Sequence, residues 1–467
     1  MSSEIQKSNL GYSILKFLVS FGLRSYFGHI TVHGRENLPH GESYILAPNH
    51  QNAFLDALSV LYLNRCRPTV FLARADIFSS PAAARILGFL KMMPVYRSRD
   101  GRGKVLERNG EIMEKSVSAV IGKVPFCMMA EGTHNDCHRL LPLKKGMFRI
   151  ALEAQNRLGE ERPVYIVPVG IDYEDYRRSG RGVVLNVGSP VSMLDFLEKY
   201  RKSQAVAVNQ VLERMRSEMT DKMHHIESED FYALFYEYSR VYAEVESGTH
   251  LLPGRASWER FELRRKATES LELRRKEHPE TLADLPEEIN GLQKRRRITG
   301  NRNFRRSLAL VMVFAAAVSL SCFCGWQVLL AVLLASPVSF LPTHLLFRNN
   351  GDPQFIGSLN FATQFSLNLV YLVVMTSVVF LLQGWKFGIV MFVIGLLGWR
   401  YGRVRSLSTR HCNRTFVIGQ AIVCFVFDCI TCCFFLEVFI HAATLDHETI
   451  NNTVENYAVI KTVTYVF

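Results

Sequence analysis

The distribution of charge along the chain changes abruptly near residue 306, and this change limits what each part can fold into. From Glu36 to Arg306 charged residues are dense and apolar runs are short, whereas long charge-free runs follow Ser307. A chain of 467 residues is long enough for two or three structural units. The pattern therefore predicts a domain with a sizeable core, followed by a region suited to a bilayer.

The charge-free runs of the C-terminal region approach the ~20 residues that a helix needs to cross a bilayer. Turn-like CGWQ and QGWK separate the members of each pair of runs, which predicts two helical hairpins. A fifth stretch, Phe416–Ile440, contains Asp428 and Glu437, so spanning, re-entrant and interfacial interpretations stay open for it. The four earlier runs are Leu308–Cys324, Val328–Phe347, Phe361–Leu382 and the shorter Phe387–Trp399.

The formal net charge of +12 indicates an anionic partner, for which nucleic acid, a membrane surface and a phosphorylated substrate are the candidates. Basic clusters at 294–297, 302–306 and 400–410 each adjoin an apolar segment. This placement favours the bilayer over nucleic acid, and it puts the basic flanks on the cytoplasmic side of a multi-pass protein.

The N-terminal segment 1–35 contains the apolar stretch LGYSILKFLVSFGLRSYFG, but Lys16 and Arg24 interrupt it, so no uninterrupted part is long enough to span. A helix lying in the membrane surface, with Phe17 and Phe21 directed inward, fits this pattern. A helix packed on the folded domain is the alternative.

Extended-looking and helical segments alternate between residues 42 and 190, which predicts an α/β fold in which helices flank a sheet. We assign residues 36–200 to this domain, 201–306 to a charged helical connector, and 307–467 to an all-α membrane region. The connector is predicted to pack against the domain or to skim the membrane. The predicted strands are SYIL, TVFLA, MMPVY, PFCMMA, VYIVPVGI and VVLNV.

The ten cysteines do not indicate a disulfide framework, because six of them lie in the apolar C-terminal region. Cys127, Cys137 and His138 are close in sequence, but no fourth ligand stands at a suitable spacing. The sequence therefore predicts no metal.

His50 and Asp56 stand in the stretch APNHQNAFLDAL, directly after a predicted strand. A carboxylate that holds one imidazole nitrogen protonated leaves the other nitrogen to take a proton from a hydroxyl. With no serine or cysteine nucleophile beside the pair, it suits direct transfer of an activated acyl group to an alcohol. A core histidine and a helix-starting acid are the structural alternative for the same two residues.

Three further segments supply groups suited to binding an anion after predicted strands or before a predicted helix. Arginine offers a forked donor pair for phosphate, while lysines add positive charge. Each group also has an ordinary explanation, as a surface cation or a turn. The residues are Arg97 in PVYRSRDG, Glu131, Gly132 and Thr133 in AEGTHND, and Lys144 and Lys145 in LPLKKGMF.

In order and spacing, NHQNAFLD, MMPVYR, AEGTHND and IVPVGI resemble the four sequence blocks of the glycerolipid acyltransferase family, over roughly residues 36–192. The resemblance implies that His50 is the general base and Asp56 its partner. It also implies that Arg97, Glu131, Gly132 and Thr133 bind the glycerol phosphate of the acceptor. The family needs no metal or other cofactor, and takes its acyl group from coenzyme A or acyl carrier protein at the membrane surface.

The chain departs from the family pattern at two positions. Five residues separate His50 from Asp56 where the usual block has four, so the pair requires a turn that absorbs the extra residue. His134 replaces the arginine of the third block, and Lys144 or Lys145 is expected to supply the missing charge.

These observations predict a membrane-bound acyltransferase that makes phosphatidate from 1-acylglycerol 3-phosphate, with its catalytic domain on the cytoplasmic face of a bacterial inner membrane. A glycerol-3-phosphate acyltransferase acting one step earlier and an inactive membrane-anchored lipid-binding protein are the alternatives. The sequence does not distinguish the acceptors, the acyl donors and their chain lengths, or the oligomeric states.

Overall fold

The computed structural model describes residues 10–27, 29–52, 54–64, 68–96, 105–177, 181–247, 253–295 and 353–383. Among the predicted membrane segments, only Phe361–Leu382 lies within these ranges. The other four segments, and the predicted substrate-binding residue Arg97, lie outside the described residues.

One mostly parallel sheet organises residues 29–192, in the order β1-β7-β6-β2-β5-β3-β4. β7 and β8 run antiparallel to β6, while β2 is parallel to both of its neighbours, β5 and β6. β2 is buried along its whole length, as expected for an apolar strand covered on both faces. The strands are β1 (His29–His33), β2 (Ser43–Pro48), β3 (Val70–Arg74), β4 (Met92–Val95), β5 (Phe126–Cys127), β6 (Val164–Tyr173), β7 (Gly182–Val187) and β8 (Val191–Ser192).

The predicted α/β architecture is present in the described residues, and each of the six predicted strand segments contributes to the sheet. The sheet also begins earlier than the predicted domain boundary at residue 36, because β1 pairs in parallel with β7. β1 reads HITVH, a short stretch with two histidines, and its strand character comes from the β7 partner rather than from an apolar run.

Helices cover both faces of the sheet and create two apolar cores. One core joins α5 and α7 to β2, β5 and β6, and the other lies under α1 and α2. The helices are α1 (Leu10–Tyr26), α2 (Leu55–Leu63), α3 (Pro81–Phe89), α4 (Val105–Ile121), α5 (Lys145–Leu158), α6 (Leu197–Lys202), α7 (Gln204–Thr220), α8 (Tyr232–Glu246), α9 (Pro253–Glu277) and α10 (Pro353–Gln383).

The charged segment after residue 201 packs on the sheet. Val211 and Met215 of α7 are fully buried in the first core. A buried ion pair between Arg264 and Asp172 joins α9 to the end of β6, and a half-buried pair between Arg260 and Glu174 joins it to the residue after β6. Of the two interpretations of the connector, the structure agrees with packing against the domain.

Helix α1 divides into two faces. Leu23 and Tyr26 are buried, and the Tyr26 ring packs edge-on against Phe361 of α10 at 5.7 Å. The opposite face exposes Leu10 and Phe17, at 77% and 62% of their surface. One face of α1 therefore packs on the folded domain, as the alternative interpretation expected. The predicted position in the membrane surface can apply only to the exposed face.

The predicted span Phe361–Leu382 does form a helix, as part of α10. Across the described ranges, however, none of the helices has both the length and the apolar character required to cross a bilayer. The multi-pass topology stays a prediction, since four of its five segments lie outside the described residues.

Candidate active site

The candidate site lies at the edge of the sheet where the parallel strands β2, β5 and β6 end. Because the carboxyl ends of parallel strands meet at the same edge, the loops that follow them come together. His50 stands two residues after the end of β2, Glu131 follows β5, and Tyr173 ends β6. Three segments that are distant in sequence thus meet beside one imidazole.

His50 and Asp56 form a hydrogen-bonded pair, with 2.8 Å between Nδ1 of the imidazole and Oδ2 of the carboxylate. Helix α2 begins only at Leu55, so the chain between the two residues is not one continuous helix. The turn required by the five-residue separation is therefore present. The Asn52 side chain stabilises it by accepting a hydrogen bond from the Leu55 backbone N–H at 3.2 Å.

Asp56 is fully buried and is held by two further donors. The Asn52 backbone N–H donates to Oδ2 at 2.8 Å, and the Tyr173 hydroxyl donates to Oδ1 at 2.7 Å. Burial and the negative charge of Asp56 raise the pKa of Tyr173, so the phenol keeps the proton that it donates. With Nδ1 facing Asp56, Nε2 is the His50 nitrogen that is left to accept a proton.

Glu131 lies in the interior, with 2% of its surface exposed. Its Oε1 accepts from the His50 backbone N–H at 2.7 Å, and its Oε2 accepts from the Leu141 backbone N–H at 2.9 Å. Burial raises the pKa of Glu131 to about 7, although these two donors favour the ionised form. Glu131 therefore holds two loops together, and we call this arrangement the clamp. Glu131 was predicted to bind the acceptor, but both of its carboxylate oxygens accept hydrogen bonds from backbone N–H groups.

Gly132, Thr133, Lys144 and Lys145 are exposed beside this clamp. Gly132 has a positive φ of +65°, and a Cβ there would come within 2.8 Å of Lys144 Cγ, so a glycine allows the lysine stem to pack on this turn. Lys144 precedes α5 and Lys145 begins it. Two cations and the positive end of a helix thus stand together, an arrangement that attracts anions.

Arg97 follows Tyr96, the last described residue after β4. β4 is three strands away from β2, which corresponds to about 14 Å at the usual spacing of neighbouring strands. Because Arg97 is outside the described residues, its contact with the acceptor stays a prediction.

The position that departs from the third family block lies beside the imidazole. The ring of His134 meets the ring of His50 edge-on, with 5.4 Å between the centroids. The next residue, Asn135, donates its backbone N–H to the His50 carbonyl at 3.1 Å. This loop therefore contacts both the ring and the backbone of His50.

Several residues that support the site were not indicated by the motifs. Asn49 binds both backbone groups of Ile171, accepting at 2.6 Å and donating at 3.1 Å. Ser358 of α10 donates to the Asn52 side-chain oxygen. Asn49 could have been suspected, because it adjoins His50, whereas Ser358 and Tyr173 carry no local signal.

Cys127 lies near the site but is poorly suited to bind a metal. Cys127 is buried inside β5, and burial raises the pKa of its thiol, which opposes the thiolate that a metal requires. Instead, the residues that bring ligand atoms together within the described chain are His138, Asp172 and His224.

Comparison with known proteins identifies related sequences over this region. The Acyltransferase family matches residues 29–172. The 1-acyl-sn-glycerol-3-phosphate acyltransferase alpha of Mus musculus is 25% identical over 166 residues, which cover 35% of this chain and 52% of the mouse protein. The Homo sapiens protein of the same name is 26% identical over 165 residues, covering 35% of this chain and 50% of the human one.

A plant relative shows the same resemblance in sequence. The chloroplastic 1-acyl-sn-glycerol-3-phosphate acyltransferase BAT2 of Brassica napus is 30% identical over 122 residues, covering 26% of this chain and 33% of that protein. The crystal structure of PlsC, the 1-acyl-sn-glycerophosphate acyltransferase of Thermotoga maritima, is 21% identical and covers 44% of this chain and 80% of that chain. Its TM-score of 0.28 is too low to support an argument about the fold.

The chain matches about half or less of the length of these curated relatives. Within the matched region, the family match and the similarity to these relatives are consistent with the hydrogen-bonded pair of His50 and Asp56. Residues 29–172 therefore match the Acyltransferase family and are similar to 1-acyl-sn-glycerol-3-phosphate acyltransferases.

Proposed function

We propose that this chain transfers a fatty acyl group from an acyl thioester to the free hydroxyl of 1-acylglycerol 3-phosphate, making phosphatidate for phospholipid biosynthesis. The donor is a fatty acyl thioester of coenzyme A or of acyl carrier protein, and the proposed reaction needs no cofactor. The observation that carries the proposal is the 2.8 Å contact between His50 Nδ1 and Asp56 Oδ2. The intact pair also argues against the inactive lipid-binding alternative.

In the proposed reaction, His50 Nε2 takes the proton of the acceptor hydroxyl as its oxygen attacks the thioester carbonyl. Asp56 stabilises the imidazolium that forms, and Asn52 and Tyr173 hold Asp56 in place. As the carbon–sulfur bond breaks, the proton on His50 passes to the leaving thiolate. The histidine returns to its neutral form, and no covalent intermediate with the enzyme is needed.

The phosphate of the acceptor is proposed to bind at the exposed corner formed by Thr133, Lys144, Lys145 and the first turn of α5. The lysines supply the fixed positive charge that the third block loses where His134 replaces its arginine. Arg97 is proposed to contact the same phosphate from the β4 side. Glu131 acts indirectly in this scheme, because its two hydrogen bonds hold the His50 loop against the loop containing Leu141.

The lipid acceptor requires that the site open towards a bilayer. The exposed Leu10, Ile14 and Phe17 of α1 lie three or four residues apart, so they share one helix face suited to a membrane surface. We propose that this face and the C-terminal region hold the domain on the cytoplasmic side of the membrane.

The test is an assay of the full-length chain in membranes, with a labelled palmitoyl thioester and either 1-acylglycerol 3-phosphate or glycerol 3-phosphate. The proposal predicts labelled phosphatidate from the 1-acyl acceptor. Product from glycerol 3-phosphate alone would move the assignment one step earlier. The absence of product with either acceptor, and with either coenzyme A or acyl carrier protein as carrier, would contradict an enzymatic role.

A further inference from the structure

A second group of side chains with metal-binding chemistry includes neither His50 nor Asp56. His138 belongs to the loop after Glu131, Asp172 lies near the end of β6, and His224 lies between α7 and α8. One ligand atom from each lies within 4.8 Å of the other two. His138 Nδ1 and Asp172 Oδ1 are 3.3 Å apart.

Two buried polar atoms of this cluster, His224 Nδ1 and Gln51 Oε1, lack a hydrogen-bond partner in the described part of the chain, and Asp172 Oδ1 has only the long contact with His138 Nδ1. The Gln51 amide belongs to the cluster, since its Nε2 lies 3.3 Å from His138 Nδ1. Buried polar atoms nearly always have partners, and exceptions commonly mark a water or an ion. An oxygen of a carboxylate, an amide oxygen and an imidazole nitrogen can all offer lone pairs to a cation.

The other atoms of the same side chains are already held in place. His224 Nε2 contacts the Thr268 hydroxyl at 2.9 Å, and Asp172 Oδ2 accepts from the Arg264 guanidinium. The His138 ring stacks on Tyr236, with 5.2 Å between the centroids. Such outer contacts orient ligands and fix which imidazole nitrogen faces a metal.

We propose that His138, Asp172 and His224 bind one divalent transition-metal ion of the zinc class, with Gln51 Oε1 or a water as the fourth ligand. Two imidazoles and one carboxylate suit zinc, whereas calcium and magnesium favour oxygen ligands. Arg264 also neutralises part of the Asp172 charge. The two neutral imidazoles then contribute most to binding, which favours a transition metal over calcium or magnesium. This departs from the sequence-based expectation of no metal, because the partners of His138 come from distant parts of the chain.

The proposed site is structural. Asp172 and His224 are almost fully buried, so a substrate does not reach them. A bound metal would connect the sheet and the loop after Glu131 to the segment that precedes α8. Gln51 directly follows His50, so the site also steadies the loop that carries the histidine. The metal proposal rests on this geometry and stands whether or not the chain transfers acyl groups.

The experiment measures zinc in the full-length protein after purification without chelators, incubation with zinc and dialysis against metal-free buffer. Wild-type protein is expected to retain about one zinc per chain, and His224→Ala almost none. The matched control is His278→Ala, which makes the same change at a histidine whose side chain is 67% exposed. The control is expected to retain as much zinc as the wild type.

A second measurement serves if His224→Ala does not fold. A strong chelator is expected to lower the melting temperature of the wild-type protein, and added zinc, but not magnesium, is expected to restore it. Wild-type protein that binds no zinc and melts unchanged in the chelator would overturn the proposal. Equal zinc in folded His224→Ala would do the same, and the cluster would then be a hydrogen-bonded ion-pair network only.

Discussion

Two histidine–aspartate pairs occupy the same edge of the sheet, and their surroundings differ. Asp56 receives neutral donors besides His50, namely the Asn52 backbone N–H and the Tyr173 hydroxyl. Asp172 is instead paired with the Arg264 guanidinium. The first carboxylate therefore has its charge available to stabilise a histidine cation, whereas the second is already compensated.

The charge on Asp172 reflects this environment. Burial alone would raise its pKa, but the Arg264 guanidinium lowers the pKa of Asp172 to about 2. Burial also lowers the pKa of His224 well below its usual value, which keeps that imidazole neutral. A close contact between a histidine and an aspartate thus does not by itself indicate proton transfer, because the other partner of the carboxylate decides what the pair can do.

Removing Arg264 is expected to have the largest effect on stability. Arg264→Met leaves the Asp172 carboxylate buried without its cation, a change that typically costs about 3–5 kcal/mol of unfolding free energy. Urea unfolding in the presence of a chelator measures this independently of any metal. Arg74→Met is the control, because Arg74 and Asp76 are both about half exposed, and such pairs contribute less than about 1 kcal/mol. Equal losses in the two variants would contradict the buried-pair interpretation.

Glu131 is expected to make stability depend on pH. Its pKa of about 7 in the folded protein exceeds the ordinary value of 4.5, so folding favours the protonated form. Its contribution is fully present below pH 4.5 and is lost as pH rises through 7. Because Glu131→Gln does not titrate, the unfolding free energy of the wild type relative to this variant should fall by about 3 kcal/mol between pH 4.5 and 8.

Urea unfolding of both proteins across this pH range provides the measurement, with Glu161→Gln at an exposed position as the control. The control should show little change relative to the wild type. If the difference in unfolding free energy between the wild type and Glu131→Gln did not change with pH, Glu131 would be ionised throughout this range, stabilised by its two backbone donors.

Tyr173→Phe is expected to loosen the catalytic pair without emptying the core. The variant removes the hydroxyl that donates to Asp56 at 2.7 Å, and hydrogen bonds to charged groups contribute about 1.5–3 kcal/mol. We expect kcat/KM for acyl transfer to fall about tenfold or more. Tyr200→Phe, which removes a hydroxyl that bonds to Glu153 away from the site, should leave the rate unchanged. If Tyr173→Phe transferred acyl groups as fast as Tyr200→Phe, the Tyr173 hydroxyl would have no role in the reaction.

The smallest expected effect is that of Lys144→Met, which keeps the stem that packs on Gly132 but removes the charge. An exposed charge near a phosphate contributes about 1 kcal/mol, so KM for the acceptor should rise about fivefold with little change in kcat. Lys202→Met, at an exposed lysine on α6, provides the control. An unchanged KM would place the phosphate elsewhere.

The sequence predicted the strands of the sheet because parallel strands buried on both faces read as short apolar runs. It did not predict their order, which depends on pairings between distant segments such as β1 with β7. The packing of α9 was also hidden, because Arg264 looks like any other charged residue of RASWERFELRRK until it is placed beside Asp172.

The candidate site was predictable where its residues share a short motif. His50 and Asp56 stand in one stretch, and the need for a turn between them followed from helix geometry. Tyr173 and Ser358 come from segments far away in the chain, so only the folded structure brings them to Asp56 and Asn52. Glu131 shows a further limit, since a motif names a residue without telling whether its side chain faces a substrate or the backbone.

The central claim is that His50 acts as the base for acyl transfer, and the most direct measurement compares kcat/KM of His50→Ala with that of the wild type and of His278→Ala. Loss of a general base typically costs about 10²–10⁴-fold in rate. The account predicts a loss of this size in His50→Ala, with an unfolding transition like that of the wild type, and no loss in His278→Ala. A folded His50→Ala protein that transfers acyl groups as fast as the wild type would contradict it.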